Sequence, residues 1–318
     1  MNISVVVPVY NGSKTLDALV RRVGDVLKMT AESYELILVN DGSPDDSWDV
    51  ITRLANSHPW VRGINLMRNF GQHNATLCGI RSARFELTVT LDDDLQNPPE
   101  ELPLLLAKLD EGYDVVYGVS HKRQRDWWRS AFSAVVKYAI SIAMGLPKIR
   151  DISAYKVFRS HLCRAFETSN SPDVLVDVLL TWGTNRFAAV EVEEAPRADG
   201  ESNYNFWKLI RVSLLVLTSY TTLPLRVASL MGFAFTLLGM IGLMYVLYVY
   251  FALGSIPGFS FLAAAIIIFS GTQMFALGII GEYLARVFER TGGRPSYVVA
   301  KTTDKMMEGE TAIRSSVS

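Results

Sequence analysis

This 318-residue chain has few cysteines and histidines, and its formal net charge is close to zero. Its two cysteines, Cys78 and Cys163, are too few for a disulfide framework or a four-cysteine zinc site, so we expect two reduced, buried thiols. The formal net charge of -1 disfavours a strongly basic protein, and we expect no nucleic-acid partner. The four histidines lack metal-ligand spacing, and only His73 is expected near a functional site.

Targeting signals and two common nucleotide-binding motifs are also missing. Residues 1–9 have no basic segment before their short, β-rich apolar run, so we expect the chain to begin in the cytoplasm rather than with a signal peptide. Neither the Gly-x-Gly-x-x-Gly fingerprint nor the P-loop lysine motif occurs. Their absence disfavours a dinucleotide-dependent dehydrogenase and a P-loop NTPase.

In the last third of the chain, no charged residue occurs between Arg226 and Glu282. This stretch raises the averages of the whole chain, which has a hydrophobic content of 49% and a mean hydropathy of +0.20. A turn-like segment at 254–258 divides it into residues 227–253 and 260–281, each long enough for the ~20 residues that a membrane-spanning helix needs. The sequence therefore predicts a two-helix transmembrane hairpin over 226–286, and the alternative is a buried hairpin in a soluble protein.

Basic residues flank this hairpin, with Arg226 before it and Arg286, Arg290 and Arg294 after it. Because positive residues favour the cytoplasmic side, we expect a multi-pass protein of the inner (plasma) membrane with both termini in the cytoplasm, including a C-terminal tail at 287–318. Glycines along both helices would permit close helix contact, which favours a homo-oligomer.

Two further segments combine aromatic and apolar residues in a way typical of interfacial helices. Residues 205–225 carry Trp207, Lys208 and Arg211 beside several leucines, so we expect an amphipathic helix lying in the membrane interface. Packing against the soluble domain is the rival interpretation. Residues 127–144, beginning with Trp127 and Trp128, allow the same two interpretations.

Residues 1–204 alternate short apolar strands with amphipathic helices. We expect strands at 3–9, 35–40, 61–66, 87–91 and 115–119, with helices at 13–28 (capped by Ser13), 45–56, 71–83 and after the Pro98–Glu101 segment. This repetition predicts a doubly wound α/β domain with a parallel sheet.

Polar residues follow three of these strands, at 10–12, 41–43 and 92–94. Ligands of open parallel sheets bind at the carboxyl ends of strands, so we expect these segments to converge. Asp92 and Asp94 are two residues apart and can point to one place, with Asp93 directed elsewhere. Such paired carboxylates are suited to Mg²⁺ or Mn²⁺ shared with substrate phosphates, whereas the alternative is a solvated acidic turn.

The order of these motifs resembles a known enzyme family. Val-Pro-Val-Tyr-Asn at 7–11, Val-Asn-Asp-Gly-Ser at 39–43, Arg-Asn-Phe-Gly-Gln at 68–72 and Leu-Asp-Asp-Asp-Leu-Gln-Asn-Pro-Pro at 91–99 are similar to family 2 inverting glycosyltransferases of GT-A (Rossmann-like) fold. Arg197, Gly200, Ser202 and Tyr204 resemble a segment of the polyprenyl-phosphate transferases, and 281–286 resembles the end of their second membrane helix. Among them, the undecaprenyl-phosphate 4-deoxy-4-formamido-L-arabinose transferases look nearest and the bactoprenol glucosyltransferases next.

The resemblance implies transfer of a sugar from a nucleotide-sugar donor, a UDP-sugar by analogy, to a polyprenyl phosphate, with inversion. It implies three groups of site residues. The donor would be bound by Pro8, Tyr10, Asn11, Asp41, Arg68, Asp92, Asp93 and Gln96. Asp92 and Asp94 would hold Mg²⁺ or Mn²⁺, and the acceptor phosphate would meet Lys156, Arg197 and Ser202. Asp94, Asp151 and Arg197 would be catalytic.

Three positions depart from the family pattern. Gly12 stands where many relatives have Glu, and Asn203 where many have Lys. Ala154 stands where the glucosyltransferase-like members carry an Asp proposed as the base, which leaves Asp151 as a possible substitute. A polyprenyl phosphate needs no strong base, because a phosphate monoester is largely dianionic at pH 7.

Two other functions fit parts of the sequence. A processive polysaccharide synthase shares the donor fold, but two helices are too few for a translocation path and the Gln-x-x-Arg-Trp motif is absent. A catalytically silent membrane scaffold would explain Gly12, Ala154 and Asn203, whereas the intact Asp92, Asp94 and Arg197 argue against it.

Overall fold

The computed structural model describes residues 1–119, 153–166, 175–193, 223–253, 258–292 and 295–304. The chain forms two compact units. The first unit comprises Met1–Ser141, Leu146–Asn203 and Gly293–Ser318, and the second comprises Ile142–Gly145 and Tyr204–Gly292. The predicted domain at 1–204 is therefore incomplete, because the chain beyond the helices returns to the first unit.

The first unit is built on an eight-stranded sheet whose strands are β1 (Asn2–Val9), β2 (Ser33–Asn40), β3 (Val61–Leu66), β4 (Leu87–Thr90), β5 (Val115–Val119), β6 (Lys156–Arg159), β7 (Phe187–Glu191) and β8 (Val299–Thr302). Their order is β7-β5-β6-β4-β1-β2-β3-β8. The five predicted strands run in the same direction. The sheet is nevertheless mixed, because β6 pairs antiparallel with both β4 and β5, and β8 pairs antiparallel with β3.

Five α-helices of this unit lie within the described residues: α1 (Leu16–Thr30), α2 (Ser47–Ser57), α3 (Gln72–Arg81), α4 (Leu102–Asp110) and α5 (Val176–Gly183). A 3₁₀ turn at Pro99–Glu101 precedes α4, and a 3₁₀ helix at Ser160–Phe166 follows β6. The prediction that Ser13 caps the first helix is wrong, because α1 begins at Leu16 after Thr15. The Ser13 N–H instead donates to Asp45 Oδ2 at 3.2 Å.

Two apolar layers cover the sheet because strand residues alternate between its faces. Val5 and Val7 of β1 face α1, α2 and α4, whereas Val6 faces α3 and α5. All three valines are buried, and each fully buried side chain of this kind contributes about 1.5–3 kcal/mol. The six strands that run in one direction, β1 to β5 and β7, have their carboxyl ends at one edge of the sheet.

β1 lies between β2 and β4, so later strands are added on both sides of it. Successive connections reach β2 and β3 on one side and then return to β4 on the other. In open α/β sheets a crevice forms at the carboxyl ends of such a pair of strands. The polar segments after β1 and β4 stand at this crevice.

The second unit contains two long helices, α6 (Leu223–Leu253) and α7 (Phe259–Thr291), which contact each other. A Cβ on Gly239 would lie 2.8 Å from the Phe269 ring, so this glycine permits the close contact. Within the described residues, Leu225–Val249 is the candidate span, with a mean hydropathy of 2.1, by length and composition. The two helices extend beyond both ends of the predicted hairpin at 226–286. α6 begins at Leu223, within the predicted interfacial segment 205–225, and α7 ends at Thr291. Residues 127–144 and the rest of 205–225 lie outside the described residues.

Residues 295–304, which we call the return segment, lie within the C-terminal tail predicted at 287–318 and pair with the sheet. Strand β8 of this segment pairs with the edge strand β3, and Thr303 Oγ1 accepts the Gly63 N–H at 2.8 Å. Asp304 forms ion pairs with Arg62, at 2.9 Å, and with Arg84. Residues 299–304 of the return segment are thereby joined to the sheet.

Candidate active site

A cavity of about 350 Å³ lies at the carboxyl edge of the sheet, where the three polar segments converge as predicted. It is lined by Pro8, Val9, Tyr10, Asp41, Asn69, Gly71, Gln72, Asp92, Asp93 and Asp94. These residues follow or end β1, β2, β3 and β4, and they include the amino-terminal residue of α3. The cavity thus has one apolar wall from β1 and an acidic wall from the segment after β4.

Asp41 is buried beneath the loop at 67–71, which we call the donor loop. Its Oδ1 accepts the Phe70 N–H at 2.7 Å and its Oδ2 accepts the Gly71 N–H at 2.9 Å. Burial raises the pKa of the Asp41 carboxyl, and these two hydrogen bonds partly oppose the rise. Gly42 lets the donor loop approach, because a Cβ at this position would lie 2.5 Å from the Arg68 backbone.

Asp93 contacts the segment after β1, whereas Asp92 and Asp94 have partners on other segments. Asp93 Oδ2 accepts the Tyr10 N–H at 3.2 Å and faces Gly12. Burial, together with the charges of Asp92 and Asp94, raises the pKa of Asp93 to about 7. Asp93 therefore joins the segment after β4 to the segment after β1.

Asp92 and Asp94 are held by groups on two different elements. Gln72, at the start of α3, donates from Nε2 to Asp92 Oδ1 at 2.6 Å. The Gln96 N–H donates to Asp94 Oδ1 at 3.1 Å, within a turn in which Leu95 has a φ of 59°. Both carboxylates line the cavity and supply the hard oxygen ligands that Mg²⁺ and Mn²⁺ prefer.

The described residues contain no group of three or more His, Cys, Asp or Glu side chains arranged to hold a metal ion. A divalent ion at Asp92 and Asp94 would therefore need oxygen atoms from a ligand. This donor set fits a metal that is bound together with substrate phosphates, because Mg²⁺ is commonly held by one or two carboxylates plus phosphates.

Three other predicted donor residues lie around the cavity rather than in its lining. Asn11, with a φ of 57°, donates its N–H to Ser43 Oγ at 3.1 Å, which holds the segments after β1 and β2 together. Gln96 contributes its backbone to Asp94. The Arg68 guanidinium stacks on the Phe70 ring, 4.8 Å from its centroid, and lines a neighbouring cavity.

Lys156, predicted to meet the acceptor phosphate, has another partner in the structure. Its ammonium is buried at 3% exposure and lies 2.5 Å from Asp177 Oδ1. The Tyr117 hydroxyl donates to the same oxygen at 3.1 Å. This ion pair between β6 and α5 uses the lysine charge within the protein.

Residues near Lys156 adjoin the acidic wall. The Thr90 hydroxyl, at the end of β4, donates to the Ala154 carbonyl at 2.7 Å. His73, expected near the site, follows Gln72 at the start of α3, and its side chain is exposed. The predicted residues Asp151, Arg197 and Ser202, together with Asn203, lie outside the described residues.

Sequence reasoning missed the roles of Asn69, Gly71 and Gln72 in the cavity, although the Arg-Asn-Phe-Gly-Gln motif at 68–72 marked their segment. It also missed Asp177, which belongs to no motif. Its partner Lys156 lies 21 residues away in sequence, so only the packing of α5 on β6 reveals the pair.

The chain is similar to known proteins over most of its length. The family described as Glycosyl transferase family 2 matches residues 4–161. Proteins named undecaprenyl-phosphate 4-deoxy-4-formamido-L-arabinose transferase are similar along nearly their full lengths. The protein from Proteus mirabilis is 37% identical (94% of this chain, 93% of the relative), that from Enterobacter sp. 34% (95% and 94%), and that from Shewanella sediminis 36% (93% and 91%).

A solved structure supports the fold assignment. Glucosyl-3-phosphoglycerate synthase from Mycobacterium tuberculosis, in complex with phosphoglyceric acid, aligns with a TM-score of 0.50 at 19% identity. The alignment covers 68% of this chain and 78% of that chain. Together with the family match and the full-length relatives, the mixed sheet and its acidic edge show that the chain belongs to glycosyl transferase family 2 and is a glycosyltransferase of GT-A fold.

Proposed function

We propose that this glycosyltransferase moves one sugar from a nucleotide-sugar, with UDP as the nucleotide, to undecaprenyl phosphate or a similar polyprenyl phosphate. The observation that carries the proposal is the extent of the similarity, which covers 94% of this chain, the long helices included, in a relative named for that acceptor. A soluble acceptor would not require the apolar helices. The transfer would take place at the cytoplasmic face of the inner membrane.

The donor nucleotide would occupy the cavity at the carboxyl edge. Asp41 is fixed by two backbone N–H groups, which suits it to accept hydrogen bonds from a nucleobase or a ribose. Pro8 and Tyr10 supply the apolar wall, and the Tyr10 side chain is 49% exposed and thus accessible. We place Asn11, Arg68 and Gln96 at the periphery of the donor.

Asp92 and Asp94 would hold a divalent cation, Mg²⁺ or Mn²⁺, with the donor diphosphate supplying further oxygen ligands. When bound, the cation would neutralise the negative charge that develops on the departing nucleoside diphosphate. Gln72 fixes the orientation of Asp92, and Asp93 holds the acidic wall against the segment after β1. The chain's own part is thus to orient the oxygen ligands and the diphosphate.

In the transfer, an oxygen of the acceptor phosphate attacks the anomeric carbon of the sugar. The new carbon–oxygen bond forms on one face while the bond to the nucleoside diphosphate breaks on the other, so the configuration inverts. The acceptor phosphate is already largely dianionic at neutral pH, so Ala154 in place of a carboxylate does not prevent attack. The transfer then requires positioning of the two anions and relief of the charge repulsion between them.

For the acceptor side, we propose Arg197 and Ser202 as phosphate ligands and Asp151 as an auxiliary catalytic group, on their likeness to the family motifs. Lys156 is left out of this set because Asp177 already neutralises its buried charge. Arg197 alone would then supply the cationic contact among the predicted acceptor residues.

The paths of α6 and α7 support a hairpin with both ends on one side of the membrane. β8 follows α7 and pairs with β3, so the chain before α6 and the chain after α7 share one sheet. If α6 crosses a bilayer, α7 must cross back. Its 33 residues correspond to about 50 Å of helix, which is enough to span.

The proposal is tested with purified full-length protein in lipid nanodiscs containing undecaprenyl phosphate and Mn²⁺ or Mg²⁺. A panel of nucleotide-sugars is added one at a time, and nucleotide release is followed with and without the acceptor. We expect release that depends on the acceptor for one donor. Release that is independent of undecaprenyl phosphate for every donor, or no release, would reject the proposed acceptor.

A further inference from the structure

The return segment reaches the donor loop through its first residues. The Met67 N–H donates to the Val298 carbonyl at 2.9 Å, directly beyond the pairing of β3 with β8. Pro295, Ser296 and Val298 face the donor loop across a cavity of about 500 Å³. Asn69 lines both this cavity and the one that contains the three aspartates.

Tyr297 fastens the return segment to α3. Its hydroxyl is hydrogen-bonded to the Cys78 thiol and to the Arg81 side chain, and the Arg81 guanidinium lies 5.8 Å from the ring centroid. Ser296, the preceding residue, is buried at 2% exposure. The segment thus has a fixed position against α3 and the donor loop.

The donor loop in turn fixes the donor site. Its Phe70 and Gly71 N–H groups hold the Asp41 carboxylate, and α3 begins directly after it with Gln72, which holds Asp92. A displacement of this loop would therefore move ligands at both ends of the cavity. Residues 295–298, which contact this loop, lie more than 220 residues later in the sequence, after α7.

We propose that residues 295–298 are a positioning element for donor binding, with Tyr297 as its anchor. The inference rests on the proposed function, since it assigns the cavity at Asp41 to the nucleotide. Tyr297 acts through the donor loop and touches no reacting atom. The segment that follows the apolar helices thereby forms part of the support of the donor site.

The test compares two anchors of the same segment in the full-length protein in nanodiscs. Tyr297→Ala removes the anchor beside the donor loop, whereas Asp304→Asn weakens the ion pairs at the opposite end of β8. Tyr297→Phe keeps the ring and removes only the hydroxyl. UDP with Mn²⁺ is titrated by calorimetry, and hydrogen exchange is measured for peptides that contain residues 67–71.

We expect Tyr297→Ala to weaken UDP binding about 10- to 100-fold, because misplacement by about an ångström has effects of this size. Tyr297→Phe should recover most of the affinity, because the ring of residue 297 packs against the apolar cluster that contains α3. Asp304→Asn should lower the melting temperature and leave the affinity within about twofold. Exchange in the donor loop should rise in Tyr297→Ala and stay unchanged in Asp304→Asn.

Equal UDP affinity in Tyr297→Ala and the wild type would overturn the proposal, as would an equal loss in both variants. The exchange measurement needs no nucleotide, so it decides the positioning claim by itself: unchanged exchange in Tyr297→Ala refutes it. A wild type that bound no nucleotide would reject the proposed function instead.

Discussion

Gly12 and Asp93 are in direct contact across the crevice between β1 and β4. A Cβ on residue 12 would stand 2.5 Å from Asp93 Oδ2, closer than any side-chain carbon can approach. The same carboxylate accepts the Tyr10 N–H. The sequence showed only a departure from the family pattern, whereas the structure shows that a side chain at this position would displace the Asp93 carboxylate.

Gly12→Ala should therefore displace Asp93 and, with it, the acidic wall. We expect about a tenfold loss of affinity for UDP with Mn²⁺, and a destabilisation of about 1–3 kcal/mol from overpacking. Calorimetry and chemical denaturation measure the two effects. The matched control is the same substitution in an Asp93→Ala background, where the clash is gone. An equal effect of Gly12→Ala in both backgrounds would contradict the contact.

Gln72→Ala should weaken metal binding without abolishing it. The amide that orients Asp92 would be lost, and groups that orient metal ligands typically contribute 10- to 100-fold in affinity. Mn²⁺ titration in the presence of UDP measures the change.

Asp94→Ala removes a proposed metal ligand and should abolish metal-dependent nucleotide binding. Lys14→Ala, on the exposed surface, should leave this binding unchanged. Unaltered Mn²⁺ affinity in Asp94→Ala would remove the metal assignment.

Removing one member of the buried Lys156–Asp177 pair should destabilise the protein more than removing both members. Lys156→Met leaves an uncompensated buried carboxylate and should cost about 3–5 kcal/mol of unfolding free energy, whereas Lys156→Met with Asp177→Leu should recover most of it. The control is Arg159→Met, at the far end of β6, where the 40% exposed side chain pairs with Asp114 at 3.5 Å. Its effect should stay below about 1 kcal/mol. Additive losses in the double variant would disprove the coupling.

The two cysteines should be unreactive in the folded protein. Cys78 is buried and Cys163 is half-buried, and loss of solvation raises the pKa of each thiol to about 12. Both therefore remain thiols at pH 8, while only thiolates react. A thiol reagent at pH 8 should modify the native chain far more slowly than the unfolded chain. Rapid labelling of the native protein at this pH would show that one thiol is exposed to solvent.

The same shifts predict how stability depends on pH. An unfolded cysteine loses its proton near pH 8.5, whereas the folded one keeps it to about pH 12. Between these values the folded state binds more protons, so stability falls as pH rises, by up to about 1.4 kcal/mol per pH unit for each thiol. Below pH 8.5 the contribution is fully present. Cys78→Ala should flatten the decline, and an identical slope in this variant would contradict the prediction.

The five strands that carry the crevice could be predicted because each is a short apolar run followed by turn residues. β1 and β4 are both followed by polar segments, so their sequences alone predict Asp92 and Asp94 at the carboxyl edge of the sheet. The boundaries of β3 and β5 agree with the prediction to the residue. Local sequence patterns were sufficient here because each strand has its own apolar run and alternates with a helix, whichever strand it pairs with.

Features that depend on distant contacts could not be predicted. β8 is four residues long and follows a long apolar helix, and only its pairing with β3, over 230 residues earlier, makes it a strand. The contact of Gly12 with Asp93 and the pairing of Lys156 with Asp177 likewise join segments that no periodicity connects. The same limitation hid the dependence of the donor loop on Tyr297.

The mass of the lipid product is the most direct test of the transfer to a polyprenyl phosphate. Full-length protein in nanodiscs is incubated with undecaprenyl phosphate, Mn²⁺ and the donor found in the panel, and the lipids are examined by mass spectrometry beside those from Asp94→Ala. We expect one sugar added per undecaprenyl phosphate, with inverted anomeric configuration, and no product from the variant. A ladder of products, a sugar attached to another acceptor, or an unchanged lipid would contradict the proposed function.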